Sequence, residues 1–414
     1  MSSTLSNNTL HDTLTGEEFK RQYGTKFYKI LKEDCVHNGY QFVNGLNIDP
    51  VSFNPEGKCS KGGFYFTEYN KIGHWLNYTN NLKYIAKVTI PDDAQVYIET
   101  NKFKTDKFII GLTDMTTIED CDCWTNNESC KLIVQQSGNV IRFVKKQTEE
   151  ICKLAVQQNG HALKYVTVQT EEICKLAVQQ NGNALSYVKE QTEEICKLAV
   201  QQNGHALKYV TVQTEEICKL AVQQNGHALK YVNIPQTEAL CKLAVQQNGD
   251  ALEYVTVQTE ELCWLAVQKY GGALQYVKNQ TEEICKLAVH QNTCALQYVT
   301  NQTDALRKLA VQQNGRALVY INDQTDEICK LAVQQNGYAL IYVKNQTDEI
   351  CKLAVKQNGL ALEYVDNQTD EIYKLAVQQD SYALQYVKEQ TEEMCEIAVR
   401  QDGSALQYVK NQTE

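Results

Sequence analysis

From residue 125 onward the chain repeats one 22-residue unit thirteen times. A clean copy runs Gln169-Thr170-Glu171-Glu172-Ile173-Cys174-Lys175-Leu176-Ala177-Val178-Gln179-Gln180-Asn181-Gly182-Asn183-Ala184-Leu185-Ser186-Tyr187-Val188. The Gln-Thr start returns at Gln147, Gln169, Gln191, Gln213, Gln236, Gln258, Gln280, Gln302, Gln324, Gln346, Gln368 and Gln390, with one extra residue where Pro235 is inserted. A degenerate copy, residues 125–146, precedes them. Units this short cannot bury an apolar face alone, so neighbours must stack into a solenoid that presents a long surface. That architecture points to binding rather than to chemistry.

Within a unit, Thr170 is placed to cap a helix, its hydroxyl accepting from a free backbone N–H of the first turn. Glu171 and Glu172 then lie where the helix dipole favours negative charge. Ile173, Leu176 and Ala177 make one apolar face by i, i+3, i+4 spacing, and Cys174 and Val178 widen it. Gly182 follows as a left-handed residue that ends the helix. Ala184, Leu185 and Val188 line a second, shorter helix of about two turns, with Tyr187 beside them. Gln179, Gln180 and Asn181 read as a solvated helix end. The tyrosine slot, filled from Tyr165 to Tyr408 with Phe143 in the degenerate copy, reads as a packing stripe with its hydroxyls at the solvent edge. A leucine-rich repeat has a compatible period but fails on detail. Its next required leucine falls on His161, Asn183, Asp250, Gly272, Arg316 or Tyr338, and its strand would hold Lys-Leu-Ala. The fold class is therefore an α+β N-terminal domain followed by an all-α solenoid of two-helix repeats.

Eleven of the sixteen cysteines occupy one slot of the repeat: Cys130, Cys152, Cys174, Cys196, Cys218, Cys241, Cys263, Cys285, Cys329, Cys351 and Cys395. Equivalent positions on stacked helices lie about 8–10 Å apart, too far for a disulfide, which needs Cα atoms within about 7 Å. The expectation is a ladder of free thiols in a reducing compartment. Asn279, Asn301, Asn345, Asn367 and Asn411 begin Asn-x-Thr sequons only because an Asn precedes the Gln-Thr start, and the Thr is a helix cap. Net charge is −10, with both signs interleaved inside each repeat and no polybasic footprint for nucleic acid. No apolar run reaches the ~18 residues of a membrane span, and the polar start shows no signal peptide.

Residues 1–17 read as a disordered leader, 18–115 as a small α+β domain, 116–124 as a linker or cap, and 125–414 as the array. Strands are expected at Lys26–Leu31, Gly63–Thr67, Ile85–Ile90, Gln95–Glu99 and Lys107–Ile110, and a helix near Lys71–Tyr78. His37, Tyr65 and Glu99 are the residue types that ADP-ribosyltransferase-like folds set around NAD, but no spacing supports a motif. Cys35, His37, Cys59, Cys121 and Cys123 lack the spacing of a structural zinc site. Lys61-Gly62-Gly63 lacks the context of a phosphate loop and reads as a turn. No residue set implies a cofactor.

The run Lys-Leu-Ala-Val-Gln-Gln-Asn-Gly-x-Ala-Leu-x-Tyr-Val resembles a helical-repeat family found in giant DNA viruses of amoebae, in some bacteria and in protists. Phe27-Tyr28-Lys29-Ile30-Leu31, His37-Asn38-Gly39-Tyr40, Gly45-Leu46-Asn47-Ile48-Asp49, Phe53-Asn54-Pro55, Gly62-Gly63-Phe64-Tyr65-Phe66-Thr67 and Ile90-Pro91-Asp92-Asp93-Ala94 resemble the domain that precedes ankyrin and other repeats in mimivirus-like proteins. The resemblance implies a helical solenoid and a giant-virus origin, and it brings no activity or catalytic residue.

The expected function is a non-enzymatic protein-interaction scaffold, in infected-cell cytoplasm or in a virion, with a protein partner along the array and neither nucleic acid nor membrane. The fifteenth position of the repeat varies most: His161, Asn183, His205, His227, Asp250, Gly272, Cys294, Arg316, Tyr338, Leu360, Tyr382 and Ser404. Of these, His161, Asn183, His205, His227, Asp250, Arg316, Tyr338, Leu360 and Tyr382 form the candidate partner-binding surface. Two alternatives stand beside it. One is an enzyme in the N-terminal domain, targeted by the repeats. The other is a filament or virion protein that self-associates through an uncapped end at Gln412-Thr413-Glu414.

Overall fold

The computed structural model describes residues 13–55, 61–76 and 81–410. The first of them already belong to the N-terminal domain. β1 (Thr13–Thr15) leads into α1 (Gly16–Tyr23), where Thr15 and Glu18 form a reciprocal capping box. The leader expected over 1–17 is thus corrected for its last five residues. Thr15-x-x-Glu18 carried the signal, and Gly16 is buried so tightly that an added Cβ would strike the Pro91 carbonyl.

Around α1 the chain builds β2 (Phe27–Lys32), β3 (Val36–His37), β4 (Tyr40–Gln41), β5 (Gly45–Ile48), β6 (Phe64–Glu68), α2 (Gly73–Leu76), β7 (Leu82–Thr89), β8 (Gln95–Ile98), β9 (Phe103–Thr105), β10 (Lys107–Ile110) and β11 (Thr116–Thr117). The sheet order is β1-β8-β9-β6-β2-β7-β10-β5, with β11 also on β7 and β3-β4 as a separate hairpin. The recorded pairings are antiparallel. Strand alternation puts Phe27 and Leu31 of β2 inward, against Phe19, Phe66 and Phe103. Phe19 lies 4.9 Å from Phe27 and 4.8 Å from Phe103 between ring centroids, an edge-and-tilt cluster typical of aromatic cores. The strands expected from sequence at β2, β6, β7, β8 and β10 are present. The short β1, β9 and β11 had too few residues to show a period of two. The expected helix at 71–78 is seen as α2; Asn77 and Tyr78 lie outside the described residues.

The segment 116–124 is no loose linker. β11 pairs with β7, Ile118 N donates to Lys83 O at 2.9 Å, and Trp124 is buried at the end of a short 3-10 turn. Trp124 stacks on Phe143 of the degenerate repeat with centroids 5.3 Å apart. Gln136 of α3 (Asn127–Gln136) donates to the Asn70 carbonyl, and Gly73 sits where a Cβ would come 2.7 Å from Ile133 O. The N-terminal domain therefore covers the first repeat, as a solenoid end requires.

Each repeat has a ten-residue α-helix, such as Glu171–Gln180, and then a six-residue 3-10 helix, such as Gly182–Tyr187. The second helix was expected to be α-helical, but six residues between an extended Asn181 and an extended Val188 favour the tighter coil. Threonine caps hold: Ile173 N donates to Thr170 Oγ1 at 3.4 Å. Gly182 is not left-handed, because the only glycines with positive φ are Gly24, Gly39, Gly45, Gly62 and Gly63 among the described residues. Asn181 ends the helix in extended conformation, and its Oδ1 accepts from Asn183 N at 3.0 Å to start the next coil. Glycine fits best because a Cβ there would crowd the Ala199 carbonyl of the following repeat, a contact that the copies with Thr293 and Ser381 in this slot must relieve.

The buried stripe is Ile173, Cys174, Ala177 and Val178, with Ala184 and Leu185 from the 3-10 helix. Leu176, assigned to the buried face from its spacing, is only half-buried. It lies on the flank of the stripe, and Leu132 in the same slot is 49% exposed. The array is described in two stretches, one ending at Val212 and one beginning at Gln213, each compact in itself.

Candidate functional site

The joint between repeats explains which array positions are free to vary. Gln169 Nε2 donates to Tyr187 O at 2.9 Å and to Leu163 O of the preceding repeat at 3.4 Å. Its Oε1 accepts from Lys189 N at 3.0 Å and from the Cys174 thiol at 3.8 Å. One glutamine thus satisfies backbone groups that short helices leave unpaired. Gln180 makes a second joint: its Oε1 accepts from Gly160 N of the preceding repeat at 2.7 Å. The Gln-Gln-Asn run is therefore no idle solvated end. Asn181 Nδ2 also reaches His161 Nε2 at 3.0 Å.

The thiols of the ladder are buried in this joint except Cys395, which is half-buried, and none of the described cysteines forms a disulfide. Burial raises their pKa, to about 11 at Cys218 and Cys351. On the outer face, Lys175 bridges Glu171 at 3.0 Å and Glu194 of the next repeat at 2.7 Å, and similar pairs recur along the array. Such exposed pairs contribute little each.

The candidate residues at the fifteenth position are not a free surface. His161, Asn183, His205, His227, Asp250, Tyr338, Leu360 and Tyr382 are half-buried; Arg316 is exposed. Several of them meet the next repeat. His161 packs edge-on against Tyr187 at 5.7 Å, His227 against Tyr254 at 5.9 Å, Tyr338 against Tyr364 at 6.0 Å and Tyr382 against Tyr408 at 5.8 Å. Arg316 donates to the Tyr342 hydroxyl at 3.4 Å. The slot and the tyrosine ladder therefore form one interleaved edge.

Sequence reading missed the position three residues on. On a 3-10 helix residues i and i+3 eclipse. Lys164, Ser186, Lys208, Lys230, Glu253, Gln275, Gln297, Val319, Ile341, Glu363, Gln385 and Gln407 thus stand directly over the fifteenth position, and all are exposed. They vary as widely in chemistry, which was the available signal. In the second stretch Val319 is 49% and Ile341 53% exposed, beside Tyr338 and Leu360, and they give this edge its apolar part.

In the N-terminal domain, His37 and Tyr65 line one cleft, and Glu99 lies beside it, ion-paired with Lys102 at 3.3 Å. The three share a neighbourhood, but each is held by a lysine or packed against one. The zinc candidates do not converge. Cys121 Sγ contacts the Tyr69 hydroxyl at 3.8 Å and Cys130 Sγ donates to Cys123 O at 3.3 Å, whereas Cys35 and His37 belong to the hairpin region. Cys59 lies outside the described residues, as do Gln412, Thr413 and Glu414. Among the described residues no group of three or more His, Cys, Asp or Glu is placed to hold a metal ion, and no helix is long and apolar enough to cross a membrane.

A period of 22 residues, with a threonine-capped α-helix, a 3-10 helix and a glutamine joint, is the signature to compare. The repeats match the Domain of unknown function (DUF4116). The matched windows are residues 149–191, 170–213, 192–235, 214–258, 326–368, 347–391 and 369–412. Three similar proteins are from Acanthamoeba polyphaga mimivirus. "Putative ankyrin repeat protein R896" is 27% identical over 136 residues, 28% of this chain and 40% of that protein. "Uncharacterized protein R869" is 28% identical over 116 residues, 27% of this chain and 83% of its own length. R868, named like R896, is 33% identical over 91 residues, 22% of this chain and 44% of that protein. The chain thus spans less than half the length of the two ankyrin-named relatives. No solved structure matches it. The windows that match the DUF4116 model and these viral relatives agree with a giant-virus repeat protein.

Proposed function

We propose that the chain is a non-enzymatic protein-interaction scaffold of a giant virus, with its partner bound along the 3-10 edge of the DUF4116 array. The observation that carries this is the division of labour within each repeat. Ile173, Ala177, Leu185 and the glutamine joints keep one geometry, while the exposed position over each half-buried fifteenth slot changes chemistry from copy to copy. An invariant frame with a variable, solvent-facing row is suited to reading a partner. The apolar pair Val319 and Ile341, flanked by Tyr338, Leu360 and Arg316, is the expected anchor, because aromatic and Arg side chains around an apolar centre dominate binding energy.

The reading is tested by affinity purification from infected-cell lysate with the full chain and with a Val319→Glu, Ile341→Glu double variant. Both positions are exposed, so folding is spared. A partner held by the native chain and weakened at least about tenfold by the double variant supports the edge. Equal recovery on both baits, or NAD hydrolysis by the full chain that His37→Ala abolishes, overturns it.

A further inference from the structure

The cleft beside His37 has a composition that covering the first repeat does not require. Its volume is about 340 Å3, within the range of small-molecule sites. Lys29 occupies an inward slot of β2, between Phe27 and Leu31, and is 3% exposed. Lysine is among the residues least often buried. Its Nζ donates to Tyr65 O at 2.7 Å and lies 2.9 Å from His37 Nδ1. Lys102, in the turn between β8 and β9, holds its ammonium 4.0 Å from the Tyr65 ring centroid and 5.3 Å from that of Trp75. Lys32 stands exposed at the rim. Among the described lining residues Lys29, Lys32 and Lys102 are basic and none is acidic, and Glu99 beside the cleft pairs with Lys102 at 3.3 Å, so the remaining positive charge comes from Lys29 and Lys32.

This field is legible in His37. Its pKa falls from 6.5 to about 4, through the Lys29 ammonium first, then burial, then Lys32 and Lys102. The ring is neutral at pH 7. With Nδ1 accepting from Lys29, its proton sits on Nε2. Leu31, Val36 and Leu82 make the remaining wall apolar.

We propose that this cleft binds a small anion that carries a planar ring, of the nucleotide class. Ammonium groups in a partly dry cleft attract an anion far more strongly than they would in water. Trp75, half-buried, offers a ring surface that every base can stack on. The apolar wall fits a ring, and a bare phosphate would leave it unfilled. The site is separate from the array edge and does not depend on what the array binds.

Calorimetry of the full chain at low salt with AMP, adenosine and tripolyphosphate tests this. AMP is expected to bind at least about tenfold more tightly than either of the other two. Lys32→Gln and Trp75→Leu are each expected to weaken AMP by about tenfold while melting stays cooperative. AMP is also expected to raise the pKa of the His37 imidazole, followed by NMR, a readout that a merely structural lysine cluster would not move. Absence of saturable AMP binding, or AMP affinity unchanged in both variants, overturns the proposal. Tripolyphosphate binding as tightly as AMP, with Trp75→Leu without effect, removes the ring from it.

Discussion

At the scale of single residues, glycine and histidine carry the sharpest consequences. Gly337 has ordinary backbone geometry, yet a Cβ there would lie 2.6 Å from Ala354 O of the next repeat. Gly337→Ala is expected to destabilise its neighbourhood by about 1–3 kcal/mol, as overpacking does. Gly403→Ala, where nothing lies within 4 Å, should be close to neutral. Thr293 and Ser381 occupy the same slot in two copies, so the joint can give, which places the cost toward the lower end. Hydrogen exchange of the flanking helices measures the difference. His37 sets a pH dependence. Its native pKa of about 4 is below its ordinary value of 6.5, so the unfolded chain takes up a proton that the folded domain refuses. Stability is full above about pH 6.5 and is lost as pH falls toward 4, by on the order of 1–2 kcal/mol after allowing for partial exposure. Denaturant midpoints of the native chain and of His37→Asn should converge across that window. Parallel curves would show that His37 is not the group involved.

At the scale of the element, the repeat is held by a core stripe and by a glutamine joint. Leu185 is fully buried and Leu176 is not. Leu185→Ala is expected to cost about 2–5 kcal/mol and Leu176→Ala about 1 kcal/mol, because only the first leaves a sealed cavity. Equal effects would contradict the assignment of faces. Gln169→Ala strands the Tyr187 carbonyl and the Lys189 N–H, so local opening should ease by roughly 1–3 kcal/mol although no apolar contact is lost. Copy-to-copy variation shows the joint adapting. Tyr373 replaces the slot cysteine, and its hydroxyl accepts from Lys388 N at 3.4 Å, leaving Gln368 Oε1 buried without a recorded partner. Pro235 is absorbed in a connector, with Asn233 N still bonded to Gln213 Oε1 at 2.9 Å. The ladder thiols should react with an alkylating probe only at the rate at which their repeats open, since burial keeps them protonated. Cys294 and Cys395, which are half-buried, should label first.

For the molecule as a whole, stability is a sum over neighbours. A lesion such as Leu185→Ala should split thermal unfolding into segments rather than lower one midpoint, which calorimetry with hydrogen exchange resolves. The N-terminal domain matters through its grip on the first repeat. Trp124 on Phe143, Gln136 on Asn70 and Gly73 on Ile133 leave the start of the array covered. Deleting residues 1–112 should therefore fray α3 and promote aggregation, with exchange protection restored only a few repeats inward. Unchanged protection in α3 would show that the degenerate repeat caps itself.

The sequence by itself determined the repeat length, the threonine caps, the buried Ile–Cys–Ala–Val stripe apart from the Leu176 it added, the free thiols and the strand-rich start. These depend on periods of 3.6 and 2 and on local capping, which a linear pattern displays. Only tertiary structure decided the rest. Gly182 was read as a left-handed residue because local rules assign glycine to that role, whereas the constraint is a carbonyl of the next repeat. Gln169 and Gln180 looked like polar filler because their partners lie 18 to 20 residues away. The fifteenth position looked like a free surface because variability marks tolerance, and tolerance at a joint resembles exposure until the neighbouring tyrosine is seen. The basic character of the cleft was hidden too: His37 and Tyr65 were singled out by residue type, but Lys29 and Lys102 come from β2 and the β8–β9 turn, and only the antiparallel order of the sheet brings them to the β3–β4 hairpin and β6.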